Sequence, residues 1–440
     1  MSMTFDAAVI GGGFKGMMTA YGLIKQGKRV CIVDSGKLLG GFMAPMQWRG
    51  IEVDKGPQYL DGISEPHKRI LDEITAGHEP LSALDYSYGS FWNDHYTEGF
   101  AIPDYRTLPV EQRALLLHEA ITASEPPAQA KSIADLYGED CPHSYRYIRQ
   151  WCRKFLQNEA DRLSTINRNF VTFFGRKLLL DNDLSLELKQ HPRLDDILAA
   201  RKSGIDHQTY NLYPLGKNLG VFREAFERWL HQAGAHILTE TSVERILPGD
   251  QTYRLDSGER SLHASEVYCA ATIESSERML LQQDRISACI RPVAQLFYLL
   301  EIELDRPLPF YIMNYSDSSI ARVTHFTAYA NTSASNKSVL CVEVPTTVGS
   351  TLWENPDDHR SVLCKELQAM DIDTSTISAM QAFKVPSTYR AVLAGYEQQL
   401  HTLQEQVRER YGDAIHILTP HLLTRASIMA DLSQRGILPS

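Results

Sequence analysis

The stretch from Phe5 to Gly41 constrains the fold of this chain more than any other. Ala7-Ala8-Val9-Ile10 is a short apolar run that reads as a buried strand. Gly11-Gly12-Gly13-Phe14-Lys15-Gly16 follows at once, and Met17, Ala20, Tyr21 and Ile24 then recur at helical spacing up to Gln26-Gly27. Val30-Cys31-Ile32-Val33 is a second apolar run, closed by Asp34 and Ser35. The order is strand, glycine turn, helix, strand, acid. In such a unit Gly11 permits the tight turn out of the strand, and Gly13 lets a pyrophosphate lie against the backbone. Gly16 lets the helix pack close to the strands. The first N–H groups of the helix, at its positive dipole end, face the phosphates. Asp34 can accept hydrogen bonds from a ribose 2′- and 3′-hydroxyl and would repel a 2′-phosphate. A bare adenosine ribose, as in FAD or NAD, is therefore favoured over NADP.

Gly40-Gly41-Phe42 comes a few residues after the acid, and Trp48 to Gln58 then contains Asp54-Lys55-Gly56-Pro57-Gln58. Here the chain resembles the superfamily of FAD-dependent amine oxidases, protoporphyrinogen oxidase and UDP-galactopyranose mutase. That group carries a double glycine, usually followed by Arg, and then a D-x-G-P/A-H segment beneath the flavin. Phe42 and Gln58 stand where the group has Arg and His. The resemblance continues at Tyr213-Pro214-Leu215-Gly216 with its following helix, at Val243-Glu244-Arg245-Ile246, and at Val267 to Ala271. It ends at Arg425 to Gly436, where Thr419 to Leu423 replaces the usual Gly-Asp or Gly-Arg lead-in.

The resemblance implies an α/β fold: a Rossmann-type FAD/NAD(P)-binding domain, doubly wound on a parallel sheet, with an inserted mixed β/α substrate domain. The nucleotide domain would comprise 1–80, 205–285 and 390–440, and the substrate domain 81–204 and 286–389. FAD is the implied cofactor. Gly11, Gly13, Phe14, Lys15, Gly16, Asp34, Ser35, Gly40, Gly41, Phe42, Gly56, Pro57, Gln58, Val243, Ser427 and Ile428 are the implied contacts. Val243 would lie in a strand against the adenine, and the Ser427-Ile428 helix start would face the pyrophosphate or ribityl. On the substrate side, Arg322 and Tyr389 match strands of the porphyrinogen-oxidase and mutase branch. Arg322 is the expected substrate anchor, since Arg can hold a carboxylate or phosphate in a bidentate pair. His325 is a candidate acid or base.

Other segments bear on organisation. Glu65 to Glu73 reads as a helix, and Ser87 to Ile102 as a hairpin turning at Asn93-Asp94, with Tyr96 and Phe100 either lining a pocket or filling core. Leu108 to Ser124, broken by Pro126-Pro127, then Ser132 to Tyr137 and Tyr145 to Leu163 read as helices of an insertion over 105–200. Arg153, Lys154, Arg168, Arg176 and Lys177 could meet an acidic substrate or form a solvated helix face. Beyond Val293, apolar runs read as antiparallel strands, and Pro356 to Met370 reads as a helix.

The net charge of −10 argues against a nucleic-acid surface. Seven cysteines without a CxxC pair fit a reducing, cytoplasmic setting without metal sites. No segment approaches the roughly 20 apolar residues of a membrane span, and the early first strand leaves no room for a signal peptide. The expected activity is oxidation of a small, possibly anionic substrate by hydride transfer to flavin N5. A redox-neutral mutase-like reaction and a non-catalytic flavin-binding scaffold stand as alternatives. The sequence is silent on oligomeric state.

Overall fold

The computed structural model describes residues 4–76, 80–84, 87–123, 129–201, 209–258, 260–330, 337–421 and 424–439. Ser124, Pro126-Pro127 and Leu422-Leu423, used in the sequence reading, lie outside them. The chain divides into two compact units: Met1–Asp85, His207–Ala288 and Glu397–Ser440 form unit 1, and Tyr86–Asp206 with Cys289–Tyr396 form unit 2.

Unit 1 is built on a doubly wound sheet. Among the described residues its strands run in the order His236–Leu238, Val30–Val33, Thr4–Ile10, Arg260–Cys269, Tyr253–Ser257, Arg245–Pro248, with Ile415–Ile417 also beside Arg260–Cys269. The first four, and Ile415–Ile417, are parallel; the last two are antiparallel additions. Val30–Val33 is buried at every position, as a strand covered on both faces must be. Helix Phe14–Lys25 buries Met17, Met18 and Leu23 completely. Helix Leu219–Gln232 adds Phe222, Phe226 and Leu230, and begins at Asn218, whose side chain accepts from Gly220 N at 2.8 Å.

One strand expectation for this unit is corrected. Pairing starts at Arg245, so Val243 precedes the strand instead of lying in it. Residues 240 and 241 are held elsewhere: Glu240 N donates to Gly36 O and Thr241 N to Asp34 O. Glu240 also takes a left-handed φ of 50°. The chain is free to join the sheet only after this tether.

Unit 2 has a seven-stranded sheet among its described residues. The order is Ala379–Val392, Ile290–Ile302, Ser338–Thr346, Arg322–His325, Tyr311–Asn314, Tyr88–Trp92, His95–Glu98. Neighbours are antiparallel except Tyr311–Asn314 on Tyr88–Trp92. The terminal hairpin turns at Asn93 and Asp94, both with positive φ (50° and 55°), which matches the twist of its strands. Alternate strand residues face two different cores. One, with Leu296, Tyr298, Val323 and Val342, is covered by helix Arg360–Ala369 through Leu363 and Leu367. A 3₁₀ turn, Pro356–His359, precedes that helix in place of its expected first turn. The other core packs Val293, Met313 and Tyr389 against the helical insertion through Trp151, Phe155 and Phe174.

The helix expected over Tyr145 to Leu163 is shorter, at Pro142–Phe155. Gln157 adopts φ 54°, which ends the helical path. The carbonyls of Ala160 and Leu163 then accept from Ala134 and Ile133, at the start of helix Ile133–Tyr137. They serve as that helix's partners and are unavailable to a helix of their own.

Asn167 ties the insertion to the sheet. It is almost fully buried; its Nδ2 donates to Ser164 O (2.8 Å) and Val392 O (2.6 Å), and its Oδ1 accepts from Val392 N (3.0 Å). Asn167→Ala leaves buried backbone groups without partners and is expected to destabilise unit 2 by about 2–4 kcal/mol. Urea unfolding followed by tryptophan fluorescence measures it; a loss under about 0.5 kcal/mol, the range of ordinary surface substitutions, would refute this account of Asn167.

Candidate functional site

The glycine loop of unit 1 is shaped by three different constraints. Gly11 has φ 99°, and a Cβ there would stand 2.6 Å from Ala271 N. A Cβ on Gly16 would stand 1.8 Å from Gly11 O, so helix Phe14–Lys25 can sit this close only without one. Gly13 is different: its backbone is extended (φ −67°, ψ −179°), and a Cβ would meet nothing within 4 Å. Its outer side is open space. The helix begins at Gly13 with no side-chain cap and no acidic residue in the first turn, so its positive end is left to an anion.

The second glycine pair lies against this loop. Gly40 N donates to Gly12 O at 2.7 Å, and a Cβ on Gly41 would be 3.4 Å from Gly13 Cα. Gly40 has φ 102° and is covered by Arg223, whose guanidinium pairs with Glu224 and Glu227. Asp34 closes the other side. Its two oxygens accept from Gly12 N (2.5 Å) and Gly36 N (2.6 Å), one each, which leaves acceptor capacity on both. Ser35 beside it is exposed.

Several of the other residues singled out from the sequence converge near Phe14. Arg425 donates to Gln58 Oε1 (2.5 Å) and Tyr59 O (2.9 Å), and its guanidinium lies 6.0 Å from the Phe14 ring centre. Gln58 Nε2 donates back to Lys55 O at 3.0 Å, across Gly56 (φ 71°) and Pro57. Lys55 reaches over the Phe42 ring at 5.3 Å and donates to Ala44 O; burial lowers its pKa. Asp54 holds Tyr213 OH at 2.6 Å and Leu219 N at 3.2 Å.

Other side chains point to different work. Lys15 donates to Thr419 O at 3.1 Å, and burial pushes its ammonium down to about 8, against the pull of Asp431. Ser427 N and Ile428 N donate to Thr424 Oγ1 and Thr424 O, both at 3.1 Å, within a capping box. Those two N–H groups are used inside the helix's own cap. Val243 is buried beside Met279 and Ser275, next to a cavity of about 550 Å³.

In unit 2, the strand registers put Ser90, Arg322, Thr324, Glu343 and Gln295 on one sheet face. Arg322 and Tyr389 come together, with Nη2 3.4 Å from the phenol oxygen. The guanidinium already has a counter-ion: Glu343, 1% exposed at its side chain, accepts from Nε at 2.7 Å and Nη2 at 2.8 Å. Glu343 keeps Arg322 charged against its burial, and burial raises the Tyr389 phenol. Both amide atoms of Gln295, and the hydroxyls of Thr324 and Ser90, are buried without a partner among the described residues. A buried polar atom left unpaired costs about 1–3 kcal/mol, so three such side chains on one face call for an explanation. Sequence reasoning missed Glu343 and Gln295, although a lone Glu and a lone Gln within apolar strands were the available signal.

His325 stands on the opposite face, with Nδ1 3.3 Å from Leu308 O, and burial lowers its pKa. Tyr96 packs against the core of that same opposite face. Phe100 lies under the Arg201 guanidinium at 5.6 Å. None of the three joins Arg322. Among the described residues no group of His, Cys, Asp and Glu could hold a metal, and no helix is long and apolar enough to cross a membrane.

Residues 9–74 match the NAD(P)-binding Rossmann-like domain family. Over 182 residues, 37% of this chain and 42% of the relative, the sequence is 27% identical to (S)-6-hydroxynicotine oxidase of Paenarthrobacter nicotinovorans. Over 83 residues, 18% of this chain and 14% of the relative, it is 37% identical to human all-trans-retinol 13,14-reductase. The matched stretch thus spans less than half the length of either curated relative. Structural likeness covers the whole chain. Reduced UDP-galactopyranose mutase superposes with a TM-score of 0.73 at 13% identity, over 100% of this chain and 95% of the other. A protoporphyrinogen-oxidase-like protein of Exiguobacterium sp. 255-15 gives 0.69 at 15%, over 100% of both chains. Putrescine oxidase bound to putrescine gives 0.65 at 12%, over 99% of both. Residues 9–74 are thus a Rossmann-like dinucleotide-binding segment, and the fold of the whole chain is the one shared by protoporphyrinogen-oxidase-like proteins, UDP-galactopyranose mutase and putrescine oxidase.

Proposed function

We propose that the chain is an FAD-dependent oxidoreductase of the amine-oxidase type that oxidises a small molecule. One observation carries the reading: the helix start at Gly13 is uncapped, open on its outer side, and bracketed by Asp34 and the Gly40-Gly41 pair. These residues fit a dinucleotide. The first-turn N–H groups would bind the pyrophosphate, and Asp34 would accept from the ribose hydroxyls on the lone pairs that Gly12 and Gly36 leave. Flavin bound there supplies a two-electron hydride acceptor at N5.

Unit 2 would supply the substrate contacts. Arg322 is neutralised by Glu343, so the pair orients a polar substrate without demanding a negative one. The Gln295 amide and the Thr324 hydroxyl would gain their missing partners from substrate. This favours a neutral or weakly charged, hydrogen-bonding molecule over a strongly anionic one at this face. The hydroxynicotine and putrescine oxidase likenesses are compatible with such a substrate.

The visible spectrum of the purified protein, with the released cofactor identified after denaturation, tests the cofactor. Anaerobic bleaching by small amines then tests the oxidase reading; turnover of a sugar nucleotide by reduced protein, without net redox change, would replace it with the mutase reading.

Two substitutions separate ligand contact from packing. Gly13→Ala is expected to leave the cofactor-free protein as stable as wild type, while FAD affinity falls about tenfold or more, or 1.4 kcal/mol. Gly16→Ala is expected to lower the melting temperature of the cofactor-free protein itself. Equal FAD affinity in Gly13→Ala and wild type would remove the cradle from the binding site.

The ion pair gives a second test. Arg322→Met strands a buried carboxylate and is expected to cost about 3–5 kcal/mol, most of it recovered in Arg322→Met/Glu343→Leu. If the pair contacts substrate, the double variant regains stability without regaining turnover. Full turnover in the double variant would make the pair a sheet-packing element alone.

A further inference from the structure

The basic face of helix Pro142–Phe155 has no part in that reading. Arg146, Arg149 and Arg153 are spaced at i, i+3 and i+7 and share one side of the helix. With Lys154, Tyr145 and the 317–319 turn they line a cavity of about 780 Å³. All the lining residues belong to unit 2, and no residue of the glycine cradle is among them. Four cations face it and one carboxylate, Asp317, in a chain whose net charge is −10.

The cations are incompletely neutralised. Arg153 pairs with Glu159 at 2.7 Å. Arg146 rests on neutral groups, the Gln112 amide (2.7 Å) and the Tyr147 ring (4.4 Å). Among the described residues Arg149 makes no ion pair. Lys154 donates to the carbonyls of Asn314 and Ser316, both at 2.8 Å, with no carboxylate in ion-pair range among the described residues. Burial pushes its ammonium down to about 7, although Glu366 and Asp317 pull the other way. A half-buried cation held by neutral dipoles lacks a close counter-ion, and three guanidiniums on one helix face repel one another. An anion in the cavity would relieve both.

We infer that this cavity binds a small molecule bearing two or more phosphate groups, held by Arg149, Arg153 and the Lys154 ammonium. Guanidinium forks match phosphate oxygens bidentately. The volume is that of a ligand pocket and exceeds what a single inorganic ion fills. Pro142 and the Tyr145 ring give an apolar wall for the organic remainder of the ligand.

The test is calorimetric titration of the full chain with inorganic pyrophosphate, ADP and citrate at about 150 mM salt, where weak surface attraction is screened. The chain is first loaded with FAD and the unbound FAD removed by gel filtration, so that ADP does not report on the glycine cradle and no free FAD competes for the cavity. Pyrophosphate or ADP is expected to bind one per chain. The Arg149→Gln/Arg153→Gln variant is expected to weaken that binding at least about tenfold, with FAD retention and melting temperature unchanged, because both side chains are exposed. Near pH 8, wild type is expected to take up a proton on binding, read from the buffer dependence of the heat, and Lys154→Met is expected to lose that uptake. Absence of saturable binding, citrate binding as tightly as the phosphates, or binding untouched by the double substitution would overturn the inference.

Discussion

The tight approach of Gly16 to the Gly11 carbonyl sets where the rest of the nucleotide loop in unit 1 can go. A Cβ at Gly16 would overlap that oxygen at 1.8 Å. Because it is absent, helix Phe14–Lys25 packs directly on the first strand, and its start falls at the strand's carboxyl end. The positive φ of Gly11 turns the chain in time for this to happen. The same geometry brings Gly40 N onto Gly12 O and Asp34 onto Gly12 N. Loop, double glycine and acid are therefore one hydrogen-bonded arrangement. Its remaining unsatisfied feature is an uncapped helix start facing open space, which is the electrostatic requirement for a bound phosphate.

Unit 2 solves a different problem. Its sheet is covered on one face by an ordinary apolar core, in which Leu296, Tyr298 and Val342 interdigitate with Leu363 and Leu367. On the other face, polar side chains interrupt the apolar pattern at Gln295, Arg322, Thr324 and Glu343. Burying Arg322 with Glu343 is at best neutral for stability relative to apolar residues of similar size. Leaving Gln295 without partners is a direct cost. Such a row is difficult to explain as packing and simple to explain as a surface for a hydrogen-bonding ligand. Arg322 carries its own counter-ion, so the proposed substrate face presents little net charge.

The Rossmann-type architecture was legible because its signals are local. The apolar runs at 7–10 and 30–33, the glycine spacing and the terminal acid each constrain neighbouring residues, and period and turn chemistry suffice to read them. The hairpin at Asn93-Asp94 was legible for the same reason. What sequence did not reveal depends on distant partners. Nothing local in Val243-Glu244-Arg245-Ile246 says that residues 240 and 241 are tied to 34–36, which delays the strand to Arg245. Nothing in 157–163 says that Ala160 and Leu163 lend their carbonyls to helix Ile133–Tyr137. Arg322 and Tyr389, picked out on two separate strands as substrate anchors, do stand side by side. Glu343, 21 residues further on, was needed to see that the guanidinium is already paired.

The departures at Phe42 and Gln58 take on a different meaning once their surroundings are known. Phe42 lacks a charge, but the Lys55 ammonium lies over its ring at 5.3 Å. Gln58 lacks an imidazole, but Arg425 donates to its side-chain oxygen at 2.5 Å and to the next carbonyl. In each case a cation from a separate stretch of unit 1 stands beside the altered residue. Positive potential around the loop is thus supplied by position in the fold instead of by residue type at 42 or 58. A site whose charge is distributed over Lys55, Arg425 and a helix terminus can lose one motif residue and still attract a pyrophosphate, since that attraction sums over all of them.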